Sequence, residues 1–240
     1  MEKPLVVITG ASAGIGAETA KLFAAAGHPL LLLARRNAAM KRLKLPHAII
    51  EKVDVRDGKA VTAAIHKAEK QYGKVDCLVN NAGVMINSLS WQGNPADWKS
   101  MVDVNILGLM NGIRAVLGDM VKRETGSIIN IGSIAGIKTF GSHAVYCGTK
   151  FAVHAITETI REEVSGSNVR LINVAPGMTE TDLIMGTKDK AAREGWLAYA
   201  QQIGGALKPE AIAQTILWSY QMPQGVCVRE VVVCPTRQQP

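Results

Sequence analysis

The sequence predicts an α/β protein built on one doubly wound parallel sheet, with helices on both faces. Three observations carry that expectation. Short apolar, β-branched runs alternate with helically periodic segments along the whole chain, the order that right-handed crossovers turn into a parallel sheet. The strand candidates are continuous apolar runs, as in strands buried on both sides. With 240 residues, 48% of them apolar and 20% charged, the chain is large enough for a sizeable core and too apolar for disorder.

In order along the chain, the first strand is Leu5–Thr9, followed by a helix over 14–26 that stops at Gly27, where a glycine accepts left-handed backbone. Leu30–Ala34 is the second strand and 48–53 the third. A helix over 57–72, a strand at 77–80, a helix over 97–122 and the strand Ser127–Ile131 continue the alternation. A helix over 145–165 and a strand at 170–174 come next. The stretch 177–207 shows no clear periodicity and reads as an insertion of the kind that forms lids. A helix over 208–221 and a strand at 226–233 complete seven strands, and with no linker or repeat the chain reads as a single domain over 1–240.

Composition removes several function classes. The longest aliphatic run, Leu30–Ala34, is far short of the roughly 18–20 residues of a membrane-spanning helix, so no membrane partner is expected. The mixed-charge start Met1-Glu2-Lys3-Pro4 lacks the zones of a cleavable signal, which predicts a cytoplasmic protein. Cys77, Cys147, Cys227 and Cys234 form no CxxC pair and no ladder with histidines, so neither metal nor disulfides are signalled. Twenty-seven basic against 20 acidic residues give +7, which suits an anionic ligand. Nucleic acid is not the expected one. Lys67, Lys70 and Lys74 form a helix stripe without a reading motif, and only 5% of residues are aromatic.

The chemistry begins directly after the first strand, at Thr9-Gly10-Ala11-Ser12-Ala13-Gly14-Ile15-Gly16. Glycines permit a tight turn and close backbone approach to a pyrophosphate, and the helix starting there offers free N–H groups to the anion. Gly10, Ser12, Gly14, Ile15 and Gly16 are thus dinucleotide-binding candidates, a structural bend being the other reading. At the end of the second strand a carboxylate would hold a ribose 2′-hydroxyl. The chain has Arg35 and Arg36 there, which can clamp a 2′-phosphate and favour NADP(H), or simply solvate a loop with Lys41, Arg42 and Lys44. Asp54 and Val55 close the third strand beside the adenine, with Asp54 accepting an adenine amino group or capping a helix.

Tyr146 and Lys150 stand at i and i+4 on one helix face, where a cation favours the phenolate and draws the phenol toward the working range. Ser133, thirteen residues before Tyr146, can steady a carbonyl or alkoxide oxygen.

Together these residues resemble the short-chain dehydrogenase/reductase family over essentially the whole chain. The signatures are TGxxxGxG at 9–16, NNAG at Asn80-Asn81-Ala82-Gly83, the helical Asn105, and the set Ser133, Tyr146 and Lys150. The resemblance implies a single Rossmann-like domain with strand order 3-2-1-4-5-6-7, an NADP(H) cofactor, and a homodimer or homotetramer. It implies that Tyr146 exchanges a proton with the carbonyl or alcohol and that Lys150 lowers the Tyr146 pKa and binds the nicotinamide ribose. Asn105 would hold a relay water, or else satisfy irregular helix backbone. Asn81, Ala82 and Gly83 would line the cofactor pocket, with Asn81 also bracing the sheet. Pro176 and Gly177 match the family's PG turn, with Thr179 beside them and Thr181 where relatives touch the nicotinamide carboxamide.

The lid segment holds Met178, Leu183, Ile184, Met185, Trp196, Leu197 and Tyr199, which could cover a small carbonyl compound. Lys188, Lys190 and Arg193 could draw a carboxylate or form a solvated turn. His143 and Cys147 flank Tyr146 without needing a role. The run of the chain is similar to members acting on small 3-hydroxy acids such as serine, and on aldehydes and ketones. The alternative is an NADP(H)-binding sensor on the same fold without turnover.

Overall fold

The computed structural model describes residues 3–185 and 190–239, with the side chains of 184–192 outside that description. Seven strands form one sheet: β1 (Leu5–Thr9), β2 (Leu30–Ala34), β3 (Ala48–Lys52), β4 (Val75–Asn80), β5 (Ser127–Ile131), β6 (Arg170–Pro176) and β7 (Glu230–Val233). Their order is β3-β2-β1-β4-β5-β6-β7 and every neighbouring pair is parallel. The helices are α1 (Gly14–Ala25), α2 (Asn37–Lys41), α3 (Gly58–Tyr72), α4 (Pro95–Val102), α5 (Leu109–Arg123), α6 (Ala144–Glu163), α7 (Asp182–Met185), α8 (Lys190–Gln202) and α9 (Pro209–Gln221).

The apolar strands divide their side chains between two cores because successive residues point to opposite faces. Val7, Leu31, Leu33, Leu78, Ile128 and Leu171 pack with residues of α3, α5 and α6. Val6, Ile8, Leu30, Leu32, Val79, Ile129 and Ile172 pack on the other face with Phe23 of α1 and Ile212 and Ile216 of α9. The strand order reverses between β1 and β4, and there the carboxyl ends of the strands open into a crevice, as in other doubly wound sheets.

Several expected boundaries move. β4 starts at Val75 rather than 77. β6 runs on to Pro176, where β7 still pairs with it. β7 is four residues rather than eight, because only Glu230–Val233 meets the β6 ladder. The helix expected at 97–122 is one 29-residue run, Pro95–Arg123, carrying a π-helical turn at Asp103–Gly108. Among the described residues it is the one helix long and apolar enough to cross a bilayer, yet its Ile113, Val116 and Met120 lie in the core. The aperiodic stretch 177–207 holds α7 and α8, and α2 is too short for a helical period to register.

Candidate active site

The turn after β1 is shaped for a backbone-lined anion site. Gly10 has φ +67°, and a Cβ there would lie 2.8 Å from both the Ala82 Cα and the Asn81 Nδ2. A Cβ on Gly16 would lie 2.5 Å from the Gly10 carbonyl oxygen. Only glycine fits this three-way approach. α1 starts at Gly14 with no side chain capping its first turn, so its amides remain available to an anion. The NNAG segment braces the turn from β4. The Asn81 amide nitrogen donates to the Thr9 and Gly10 carbonyls at 3.0 and 3.2 Å, and the Asn81 and Ala82 backbone N–H groups donate to Thr9 Oγ1. These features fit a dinucleotide pyrophosphate, as the glycine spacing predicts.

A cleft of about 680 Å³ runs from this turn along the carboxyl ends of the strands. At one end it is lined by Arg35, Arg36, Asp54 and Val55. Arg36 is held on both sides: its Nε donates to Ser12 Oγ at 3.2 Å and its guanidinium pairs with Asp182 of α7 at 2.9 Å. Asp54 does not cap α3; Asp57 does, accepting from the Ala60 N–H at 3.0 Å. Asp54 is instead gripped by the Arg56 guanidinium, whose hydrogen bonds hold its carboxyl below the ordinary range.

At the other end of the cleft lie Ser133, Tyr146 and Lys150. Ser133 starts the 3₁₀ turn after β5, and its Oγ accepts from the Ala135 N–H at 3.0 Å. Tyr146 and Lys150 sit one turn apart on α6, 7% exposed each, with the Lys150 Nζ 5.8 Å from the Tyr146 ring centre. Lys150 donates to the Ile131 carbonyl at 2.7 Å, and burial lowers its pKa to about 8. The Tyr146 phenol is pushed up to about 12 by burial, against a hydrogen bond from Ser133 that lowers it. Loss of hydration is the largest cause of the shift in both groups. Ser133 is the side chain that favours the phenolate.

Asn105 lies in the π-helical turn, 3% exposed. Its Oδ1 accepts from the Val84 N–H at 2.8 Å, while its Nδ2 donates to the Val84 carbonyl and to Thr149 Oγ1. Its amide thus holds the NNAG loop and α6 together. Pro176, Gly177, Thr179, Thr181 and Gly83 line the cleft. Thr179 donates its hydroxyl to the Gly177 carbonyl, and Thr181 packs over Gly14, 3.2 Å from where a Cβ would stand. That contact sets the lid against the pyrophosphate turn.

Of the lid residues, Met178, Leu183, Trp196 and Tyr199 line the cleft, whereas Leu197 faces solvent. Lys188 lies outside the described residues, as do the side chains of Ile184, Met185 and Lys190. Arg193 is absent from the lining. His143 joins it, its Nδ1 2.6 Å from the Gly141 carbonyl, and Cys147 packs in the small core with Met101 and Ala135. Among the lining residues that the sequence did not single out, two polar ones stand out. Asn87 has a buried Oδ1 without a hydrogen-bond partner, and Gln238 reaches back from the carboxyl end to accept the Met178 N–H at 2.9 Å.

A family model described as short chain dehydrogenase matches residues 4–192. The chain belongs to the short-chain dehydrogenase family. This short-chain dehydrogenase is 40% identical to an uncharacterized oxidoreductase of Staphylococcus saprophyticus, over 98% of the chain and 96% of the relative. It is 35% identical to sulfoacetaldehyde reductase 2 of Chromohalobacter salexigens, over 98% and 95%. Among solved structures, a closed form of serine dehydrogenase complexed with NADP+ superposes with a TM-score of 0.92 at 30% identity, covering 98% of this dehydrogenase and 96% of that chain. An alcohol dehydrogenase from Thermococcus sibiricus complexed with 5-hydroxy-NADP gives a TM-score of 0.84 at 26% identity, covering 100% and 99%.

Proposed function

We propose that this short-chain dehydrogenase is an NADP(H)-dependent oxidoreductase that interconverts a secondary alcohol and a carbonyl, with Tyr146 as general acid and base. One observation carries the reading: Ser133, Tyr146 and Lys150 line the same cleft as the glycine turn and the arginine pair Arg35 and Arg36. A bound nicotinamide supplies the hydride for reduction, or accepts it in oxidation. The chain's residues handle the proton and the oxygen. Ser133 holds the carbonyl oxygen beside the phenol, and Tyr146 delivers its proton as negative charge develops there. In the reverse direction the phenolate removes the alcohol proton, and the Ser133 hydrogen bond stabilises that anion. The Lys150 ammonium holds the nicotinamide ribose and contributes positive charge at close range, where the low dielectric strengthens it.

Arg35 and Arg36 hold the 2′-phosphate, a reading supported by the NADP ligands of the two structural neighbours. Asp54 and Val55 stand at the adenine, and Gly10, Ser12, Gly14, Ile15, Gly16, Asn81, Ala82 and Gly83 enclose the phosphates and ribose. Pro176, Gly177, Thr179 and Thr181 close over the nicotinamide side. The substrate is a small 3-hydroxy acid, aldehyde or ketone. Val84, Met85, Phe140, Leu183 and Trp196 supply apolar cover, and the named relatives include a sulfoacetaldehyde reductase and a serine dehydrogenase. The chain works as one catalytic domain, in the cytoplasm, as a homodimer or homotetramer; Leu107 and Phe151, 52% and 41% exposed, are apolar surface for a second copy.

The test is NADP+ reduction against a panel of 3-hydroxy acids, sugars, steroids and simple alcohols. Turnover confined to small hydroxy acids or alcohols supports the reading. Tight NADPH binding without turnover on any compound overturns it in favour of a sensor.

A further inference from the structure

His154 stands outside the group of Ser133, Tyr146 and Lys150 but touches its backbone. It lies one turn beyond Lys150 on α6, and its ring occupies a slot between two glycines that bracket the serine turn. A Cβ at Gly132 would come within 2.6 Å of its Nε2, and a Cβ at Gly136 within 2.5 Å of the same atom. The Nε2 is 3.1 Å from the Ser133 carbonyl oxygen and 3.5 Å from the Ser133 amide nitrogen. The Nδ1 is 3.1 Å from Glu230 Oε1, at the start of β7. The imidazole therefore bridges the peptide groups of Ser133 to a strand far along the chain.

The slot is polar by construction. Asn80, Asn130, Asn173 and Glu230 occupy matched positions on β4, β5, β6 and β7. The Asn80 Nδ2 donates to Asn130 Oδ1 at 3.0 Å, and the Asn130 Nδ2 donates to Thr157 of α6 at 2.9 Å. Asn173 is 3% exposed, and neither its Oδ1 nor its Nδ2 has a protein partner. It lies against the same glycine as His154, its Oδ1 being 2.5 Å from where a Gly132 Cβ would stand. An apolar ring would fill this space and leave the Ser133 carbonyl and Glu230 without the ring's nitrogens. Nδ1 faces the Glu230 carboxylate, while Nε2 faces both the Ser133 carbonyl at 3.1 Å and the Ser133 N–H at 3.5 Å, so the imidazolium donates to two oxygens and the neutral ring, protonated at Nδ1, instead accepts the longer Ser133 N–H contact.

We propose that His154, oriented by Glu230, is the positioning residue that fixes the Ser133 peptide and so sets the serine hydroxyl against the Tyr146 phenol. The assignment rests on the oxidoreductase reading, in which Ser133 holds the carbonyl oxygen. His154 touches neither substrate nor cofactor in this role. It links β7 to the oxygen-binding end of the site, and the link is tightest when the ring is charged. The charged groups facing the ring are Glu230 from β7, which favours the imidazolium, and Lys150 from α6, which opposes it; Asn173 faces it from β6 without charge. Burial outweighs Glu230 and takes the pKa below 6.5, so on the acid side the ring donates to the Ser133 carbonyl at 3.1 Å, and as pH rises that contact gives way to the longer one from the Ser133 N–H at 3.5 Å.

The experiment compares wild type with His154→Phe, His154→Gln and Glu230→Gln in NADPH-dependent carbonyl reduction between about pH 5 and 8. NADPH affinity is read by fluorescence titration, and amide hydrogen exchange is followed over residues 132–137. His154→Phe is expected to lower kcat by about tenfold or more, leave NADPH affinity within about twofold, and speed exchange in 132–137 alone. His154→Gln, which keeps a donor for the Ser133 carbonyl, recovers part of kcat but loses the acid-side inflection. Glu230→Gln moves that inflection to lower pH. A His154→Phe enzyme with kcat within about twofold of wild type overturns the proposal, as does faster exchange across the whole sheet with equal losses in His154→Gln. Should wild type turn over nothing, the oxidoreductase reading fails. The exchange data then still decide the clamp, upheld by a local change in 132–137 and overturned by none. If His154→Phe does not fold, Glu230→Ala, at a partly exposed carboxylate, gives the same readouts.

Discussion

Replacing Lys150 by methionine should abolish turnover yet make the protein more stable. The ammonium is buried and its pKa is lowered from 10.5 to about 8, with loss of hydration as the cause. Below pH 8 both folded and unfolded chains carry this proton, and holding the charge inside costs about 3 kcal/mol at 1.36 kcal/mol per unit. The sign follows from proton counts. Between about pH 8 and 10.5 the unfolded chain binds more protons than the folded one, so wild-type stability rises with pH there. Methionine removes the charge penalty and leaves the Ile131 carbonyl without its 2.7 Å donor, a loss of about 1 kcal/mol. The net gain is about 2 kcal/mol at neutral pH, or roughly 4–8 °C in Tm for a chain of this size. Urea unfolding of wild type and Lys150→Met without cofactor, at about pH 7 and about pH 10, measures it. A methionine variant less stable than wild type at neutral pH, or a gain that does not shrink toward pH 10, would refute the assignment of a costly buried charge.

Other predictions address the cofactor and the pH dependence. Arg35→Asp should shift preference from NADP(H) toward NAD(H), checked by kcat/KM with each cofactor; unchanged discrimination places the phosphate elsewhere. Asp182→Ala frees Arg36 from its exposed ion pair, and since such pairs contribute about 0.2–1 kcal/mol, NADPH affinity should tighten by roughly 1.4–5-fold; weaker binding would contradict the competition. Carbonyl reduction should decline as pH rises through about 8, where the Lys150 ammonium is lost, and Lys150→Arg should move that limb upward if the fold tolerates the larger head group. A limb that stays in place assigns the titration to another group.

The middle of the sheet was legible because β1, β2, β5 and β6 are buried on both sides and their sequence shows it. β1, β2 and β5 end where their apolar runs end. β7 was drawn too long, since Val226 and Val228 continue the pattern beyond the reach of the β6 ladder. The α8 helix escaped notice because its apolar residues form no clean stripe among Lys190, Arg193, Glu194 and Gly195. At the site, local spacing placed Gly10, Gly16, Tyr146 and Lys150 correctly on turn and helix. What spacing could not show was contact between distant segments. Gln238 meets Met178 across 60 residues, Arg36 meets Asp182 across 146, and His154 of α6 meets Glu230 of β7. The opposed pKa shifts of Tyr146 and Lys150 were also hidden, since the i, i+4 relation gives proximity but not the extent of burial. The asparagine row was half legible: Asn80, Asn130 and Asn173 each sit inside an apolar strand, a local conflict that signals a partner on the same face.

The decisive measurement is turnover and NADPH affinity of Tyr146→Phe, a change that deletes one buried hydroxyl and leaves the ring in place. If the phenol is the proton donor, carbonyl reduction falls by about a hundredfold or more while the NADPH dissociation constant stays within about twofold. A variant that keeps more than about a tenth of wild-type activity would show that the proton comes from another group.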